Sequence, residues 1–262
     1  MNQLRSELRK LLSTKTWLFL GLGAIAFTLL STFVTFFVSK SDNFGTAGDA
    51  AGFSLQTAQG VQNVYATVGA SGYLFALILG IVAMTSEFRF GTIVPTFLAT
   101  PQRHRPVLAK ILTLGIVGGA MGLAVVVSVF TTATILLATT EHAAVSFSDL
   151  TLVALGALLA YVLVSILGVA LGALLRNQIL GVVLAILWVF IIEAIITAVL
   201  NLNHLDYISK WLPASAVGSV VGAANQRSTD TLPAWGAALV LLAYAAVFTG
   251  AAFATTLRRD VN

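Results

Sequence analysis

Few residues in this chain have side chains able to do chemistry, and they are widely spaced. Glu193 is the one carboxylate inside a long apolar run. Ser71 sits in a Gly69-Ala70-Ser71-Gly72 step that would present a serine hydroxyl, but a serine nucleophile needs a histidine base within hydrogen-bond reach. The three histidines, His104, His142 and His204, all fall in polar connections between apolar runs. Ser71 is therefore read as a packing or pore-lining residue, and the histidines have no metal-ligand spacing. There is no cysteine to act as nucleophile, thiolate ligand or disulfide partner. No Gly-x-x-x-x-Gly-Lys-Ser/Thr stretch occurs, so the chain has no P-loop to cradle a nucleotide.

Glu193 lies about 21 Å along a helix that begins near Ile179, at 1.5 Å per residue. An ionised carboxylate at that depth in a bilayer costs on the order of 2–3 kcal/mol even on insertion scales. It must therefore face protein or a cavity. A subunit interface, a polar substrate, or serine and threonine on a neighbouring helix would each serve. Taken alone, Glu193 would suit an ion- or proton-coupled secondary carrier or channel.

The second unusual stretch is polar and runs over 87–110. It holds three of the chain's five prolines and four of its fourteen Lys and Arg residues. Glu87 and Arg89 end an apolar run, Gly91 allows a tight turn, and Thr92 can cap a short helix starting at Ile93 or Val94. Pro95 fits only the first turn of that helix, and Pro101 stops it. Ile93, Val94, Phe97 and Leu98 would line one face, followed by Arg103, Arg105 and Lys110. An apolar face kept outside lipid lies on a membrane surface or docks on a partner.

The elements that hold these residues follow from composition. Of the 262 residues 58% are hydrophobic and 9% charged, too few charges for a soluble domain, where about a quarter is usual. The reading is an all-α polytopic membrane protein, a single transmembrane domain over 1–262, in contact with lipid along its length. Six spans are expected, near 17–38, 62–86, 107–138, 150–175, 179–200 and 233–257. The first is roughly 33 Å long as a helix, against a hydrocarbon core of about 30 Å. Only Arg176, Asn177 and Gln178 separate spans 4 and 5, which makes them antiparallel neighbours.

Residues 1–16 read as an interfacial amphipathic helix, with Leu4, Leu8, Leu11 and Leu12 on one face and Ser6, Arg9, Lys10 and Ser13 opposite. Residues 201–232 are too apolar for a free loop and too broken to cross, so they read as one or two short helices re-entering the outer leaflet. Gly118/Gly122 and Gly168/Gly172 suit close helix packing. Phe27, Phe33, Phe36, Phe37 and Phe130 are expected to pack towards lipid.

Charge sets the orientation. Arg5, Arg9, Lys10, Lys15, Arg89, Arg103, Arg105, Lys110, Arg176, Arg258 and Arg259 fall on one side of a six-span layout, and only Lys40, Lys210 and Arg227 on the other. Both termini and the 87–110 stretch are therefore expected in the cytoplasm of a cell (inner or plasma) membrane. A net charge of +4 with no run of five or six like charges gives no nucleic-acid footprint.

The order Glu87, Gly91-Thr92, a short apolar helix, Ala99-Thr100-Pro101, Arg103 and Lys110 resembles the first cytoplasmic loop of ABC-2-type ABC exporter permeases. That resemblance implies a coupling helix seated in a separately encoded ATPase. It also implies two ATPase copies, and a second permease as homodimer or heterodimer partner. ATP and magnesium would be bound on the ATPase and no cofactor on this chain, which would itself be no enzyme. Re-entrant helices like those expected over 201–232 are also a feature of that family. The residues name no cargo.

Overall fold

Uncharged runs of leucine, valine, alanine and isoleucine satisfy their backbone in lipid only as helices or closed barrels, and these runs are long enough for helices. The computed structural model describes residues 2–40, 54–69, 72–92, 104–222 and 231–257, and among them it is helical throughout, with no strand. In order the helices are α1 (Asn2–Ser13), α2 (Thr16–Lys40), α3 (Ala58–Ala66), α4 (Tyr73–Arg89), α5 (His104–Leu137), α6 (Phe147–Leu175), α7 (Gln178–Leu187), α8 (Glu193–Leu202), α9 (Asp206–Ser209), α10 (Pro213–Val221) and α11 (Ala234–Ala252). Among the described residues six candidate spans are long and apolar enough to cross a bilayer: Thr16–Lys40, Ala58–Arg89, Pro106–Leu137, Phe147–Leu175, Gln178–Leu202 and Ala234–Thr255. The chain is a multi-pass helical membrane protein by length and composition.

The second span differs from the single helix expected over 62–86. It starts earlier, at Ala58, and breaks into α3, a 3₁₀ turn at Thr67–Gly69, and α4. The Thr67 hydroxyl sits at the break, donating to the Val64 carbonyl at 2.7 Å and pairing with Thr32 Oγ1 at 2.8 Å. Side-chain hydroxyls of this kind satisfy backbone that leaves the helical ladder inside a membrane. Gly72, which begins α4, lies so close to α6 and α2 that a Cβ there would stand 2.1 Å from Tyr161 Oη and 2.4 Å from Thr28 Oγ1. Ser71 lies outside the described residues.

The fifth span is also irregular. Between α7 and α8, residues Trp188–Ile192 form a π turn, in which the Glu193 N–H bonds the Trp188 carbonyl. α7 follows α6 after two residues and touches it, as the short connection requires, but it packs more extensively on α4. Beyond it lie two short helices, α9 and α10, where one or two were expected within 201–232. One side of α10 is buried through Ser215, Ala216, Val217, Val220 and Val221.

α6 is the central helix, packed on α4, α5, α10 and α11. Small residues set these approaches. A Cβ on Gly168 would lie 2.2 Å from the Leu77 carbonyl of α4, and one on Gly118 would lie 2.4 Å from Ser165 Oγ. Ser165 uses that proximity to donate to the Leu114 carbonyl of α5 at 2.8 Å. Both glycine pairs thus sit at helix crossings, as their spacing implied. Phe33 and Phe37 face outward as expected, but Phe36 is buried. A second apolar cluster, including Leu79, Met84, Val107, Leu114 and Val169 and flanked by Leu11 and Trp17, closes the end of the bundle that carries α1.

Candidate functional site

The polar stretch 87–110 is rooted on α4 at Glu87 and on α5 at Lys110, and the two roots meet. Lys110 Nζ lies 2.9 Å from Glu87 Oε1 and 2.8 Å from Glu7 Oε2 of α1. Its remaining hydrogen reaches the Ala83 carbonyl at 3.3 Å, so all three ammonium donors have acceptors. Lys10 pairs with Glu7 one turn away on α1 and reaches Glu87 at 3.4 Å. Two carboxylates and two ammonium groups make a neutral cluster. Glu7, Glu87 and Lys110 are all under 9% exposed, while the Lys10 side chain is half exposed.

The cluster shapes the titration of its α1 members. Burial pushes the Glu7 carboxyl up, but the Lys110 charge, hydrogen bonds from Lys10 and Lys110, and the Lys10 charge outweigh it, leaving Glu7 below its ordinary value. Burial pulls Lys10 down, and its bonds and charge contacts with Glu7 and Glu87 more than reverse that, leaving it above its ordinary value.

Further ties surround the loop's entry. Arg89 Nη1 donates to Gln178 Oε1 at 3.3 Å, and the Arg176 guanidinium lies 5.6 Å from the centre of the Phe88 ring. Arg176 itself stands in the left-handed region at φ 53°, closing α6 before α7 begins. Gly91 takes the positive φ (67°) that its turn role requires. The Thr92 hydroxyl reaches back to the Glu87 carbonyl at 3.5 Å. The start of the loop is therefore bound to α1, to α5 and to the α6–α7 turn.

Of the loop residues singled out in the sequence, Ile93, Val94, Phe97, Leu98, Pro101 and Arg103 lie outside the described residues, and Arg105 is in the first turn of α5. A helix forms over Asn2–Ser13 with Leu4, Leu8 and Leu11 half-buried and Ser6, Arg9 and Ser13 exposed, as expected, but Glu7 and Leu12 depart from that division. The most buried of its described side chains is Glu7, while Leu12 is 55% exposed. Lys10, expected to face headgroups, instead joins the cluster. Glu7, Lys10 and Lys110 were missed as a group, although an opposite charge at each root of one loop was a signal available in the sequence.

Glu193, at the other site, is 4% exposed, so the expectation that it avoids lipid holds. Serine and threonine side chains, one of the three options for covering it, are not its hydrogen-bond partners here. Oε1 accepts from the backbone N–H of Ala214 at 2.8 Å and of Ser215 at 3.1 Å, and Oε2 from Trp188 Nε1 at 3.1 Å. The local sequence explains this. α10 begins with Pro213, which has no N–H, and is preceded by Leu212, whose side chain has no acceptor to cap it. The first free N–H groups of α10 thus need a carboxylate from elsewhere, and the helix N-terminus favours a negative one. The π turn brings residues five apart, Trp188 and Glu193, into register for the third bond.

A comparison with family models finds no match to this chain, and no curated protein matches it.

Proposed function

We propose that the chain is the membrane-spanning permease subunit of an ATP-driven exporter of the ABC-2 type, working with a second permease and two ATPase subunits. The observation that carries this reading is the buried Glu7–Lys10–Glu87–Lys110 cluster at the two roots of the 87–110 loop. A coupling loop must pass force to the spans without yielding, and a loop whose ends are fastened to each other and to α1 meets that need. The basic residues on that side favour a cytoplasmic position under the positive-inside rule, where ATP is. Ile93, Val94, Phe97 and Leu98 then enter a groove on the ATPase, with Arg103 and Arg105 at its rim. α1 lies along the inner membrane surface and joins the loop to the bundle. α9 and α10 sit at the outer face, with Glu193 fastening α10 to span 5.

Orientation offers a clean test, because the chain has no native cysteine and any introduced one is the sole thiol. A cysteine at His142 should react with a membrane-impermeant thiol reagent on intact cells. One at Gln102 should react only after the membrane is permeabilised. Labelling of the Gln102 position from outside would put the loop where no ATPase works and would sink the proposal.

A further inference from the structure

Spans 5 and 6 pack on other helices rather than on each other, α7 mainly on α4 and α11 on α6 and α10. The gap between them is floored by α6 and holds a cavity of about 400 Å³. Val164, Leu167, Leu171 and Leu175 form one stripe of α6 along it, and span 5 lines it from Gly181 to Glu193. At 1.5 Å per residue that stripe is roughly 17 Å long, so the cavity is a slot parallel to the spans. Its wall is almost wholly apolar. The Glu193 oxygens are taken up by Ala214, Ser215 and Trp188, and Tyr244 Oη donates to the Trp211 carbonyl at 3.3 Å. Leu184 and Trp188, both in the wall, are exposed, so the slot opens sideways between the two spans.

We infer that the slot is a binding site for one straight acyl chain of a membrane lipid, entering sideways from the bilayer. One leaflet of a hydrocarbon core about 30 Å thick is about 15 Å deep, close to the length of the slot. One end of the slot is at Glu193 and Pro213, and the other lies between Leu175 and Gly181, beside the Arg176–Gln178 turn. A chain with its tail towards Glu193 therefore keeps its headgroup among polar residues. Water does not suit the wall, since a buried water needs about two to four polar partners. Left empty, a space of this size would depart from the close packing of protein interiors. A helix of a second copy is too wide, because at about 10–12 Å across a length matching the slot would take about three times its volume. The slot is formed by one copy of the chain and uses no residue of the 87–110 loop, so it stands apart from the exporter reading.

The test uses the full chain in nanodiscs of diphytanoylphosphatidylcholine, whose methyl-branched chains suit a narrow slot poorly. The probe is hexadecanoic acid carrying a mid-chain diazirine, photolysed at low mole fraction and mapped by peptide mass spectrometry. Leu167, Leu171 and Leu184 in the wall should be labelled in preference to Leu123 and Val127, which are exposed on α5 outside the slot. Unlabelled hexadecanoic acid at about ten times its half-saturating amount should cut wall labelling about tenfold, as mass action at one site requires. It should barely change Leu123 and Val127. Butanoic acid, too short to fill the slot, should not compete. Leu171→Trp blocks the slot midway and should bring wall labelling down to the level on α5. Leu184→Trp, at the sideways opening, takes its place if Leu171→Trp does not fold, and the wild-type competition needs neither variant. Wall labelling no stronger than on α5, wall labelling that hexadecanoic acid does not displace, or full labelling in a folded blocked variant would each overturn the site.

Discussion

Lys110→Met leaves little folded protein. The substitution keeps the length and apolar stem but removes the ammonium that lies between Glu7 and Glu87, both nearly inaccessible to water. Breaking a buried ion pair from one side costs about 3–5 kcal/mol, because the abandoned charge stays buried. Two carboxylates lose it here, and only the half-exposed Lys10 remains to be shared between them. The expected readout is a large loss of monodisperse protein after mild heating in detergent, with α1 released to protease. Replacing the whole set is a different matter, since well-packed neutral residues often substitute for a buried ion group at little cost. Glu7→Gln and Glu87→Gln added to Lys110→Met should therefore recover most of the loss. Lys10→Met alone should matter little, as its side chain is half in solvent and exposed pairs contribute weakly. The pH dependence has a definite sign. Glu7 titrates below its ordinary 4.5 in the folded chain, so its contribution is present above 4.5 and is lost as pH falls through the lower folded value. A Lys110→Met protein as heat-resistant as wild type would show that the cluster holds nothing together.

Gly168→Val has the second large effect. The new Cβ would stand 2.2 Å from the Leu77 carbonyl, with Gly80 Cα at 3.0 Å and Ile81 N at 3.1 Å. These are backbone atoms of α4, which cannot swing aside as a long side chain does. Ordinary overpacking costs about 1–3 kcal/mol, and separating two helices along a shared crossing should exceed that. Membrane insertion of the individual spans would survive, but the assembled bundle would not, and size-exclusion profiles should shift to aggregate. Gly21→Ala is the control, since nothing lies within 4 Å of its added Cβ and alanine is the better helix former. If the Gly168→Val profile matches that of Gly21→Ala, the α4–α6 contact is looser than drawn.

The parts of this fold that were legible in sequence are those set by single-residue cost. Uncharged runs of sufficient length have to span, a lone carboxylate within one has to be covered, and an apolar stretch broken by Pro213 has to turn back. What escaped were the partners. Glu7 and Lys110 meet across 103 positions of sequence, and no local pattern announces a pairing of that range. Glu193 is held by backbone N–H groups of α10, which a search among side chains passes over. The break at Thr67–Gly69 is hidden because the apolar run of α4 extends back through 64–68, even though α3 itself carries Gln59, Gln62 and Asn63. It is resolved only by Thr32 and Thr67 meeting between helices. The π turn is invisible for a similar reason, since Trp188–Ile192 is as good a helical sequence as its neighbours and only the bonding of Glu193 to α10 and Trp188 makes sense of the extra residue.

The central claim is that the 87–110 loop couples the spans to an ATPase, and Phe97→Asp tests it most directly. A charge among Ile93, Val94, Phe97 and Leu98, which the sequence sets at helical spacing, should cost about 2 kcal/mol or more of contact energy if they dock as proposed, as central truncations in such interfaces do. The chain should still insert to wild-type level by blot, since the loop lies outside the spans. The measurement is ATP hydrolysis by the complex purified through a tag on the permease, normalised to permease content. The account predicts that the ATPase is lost from the preparation and hydrolysis falls to background, while Lys10→Met, altered near the loop but outside the docking face, keeps both. Full ATPase content with wild-type hydrolysis in Phe97→Asp would contradict it.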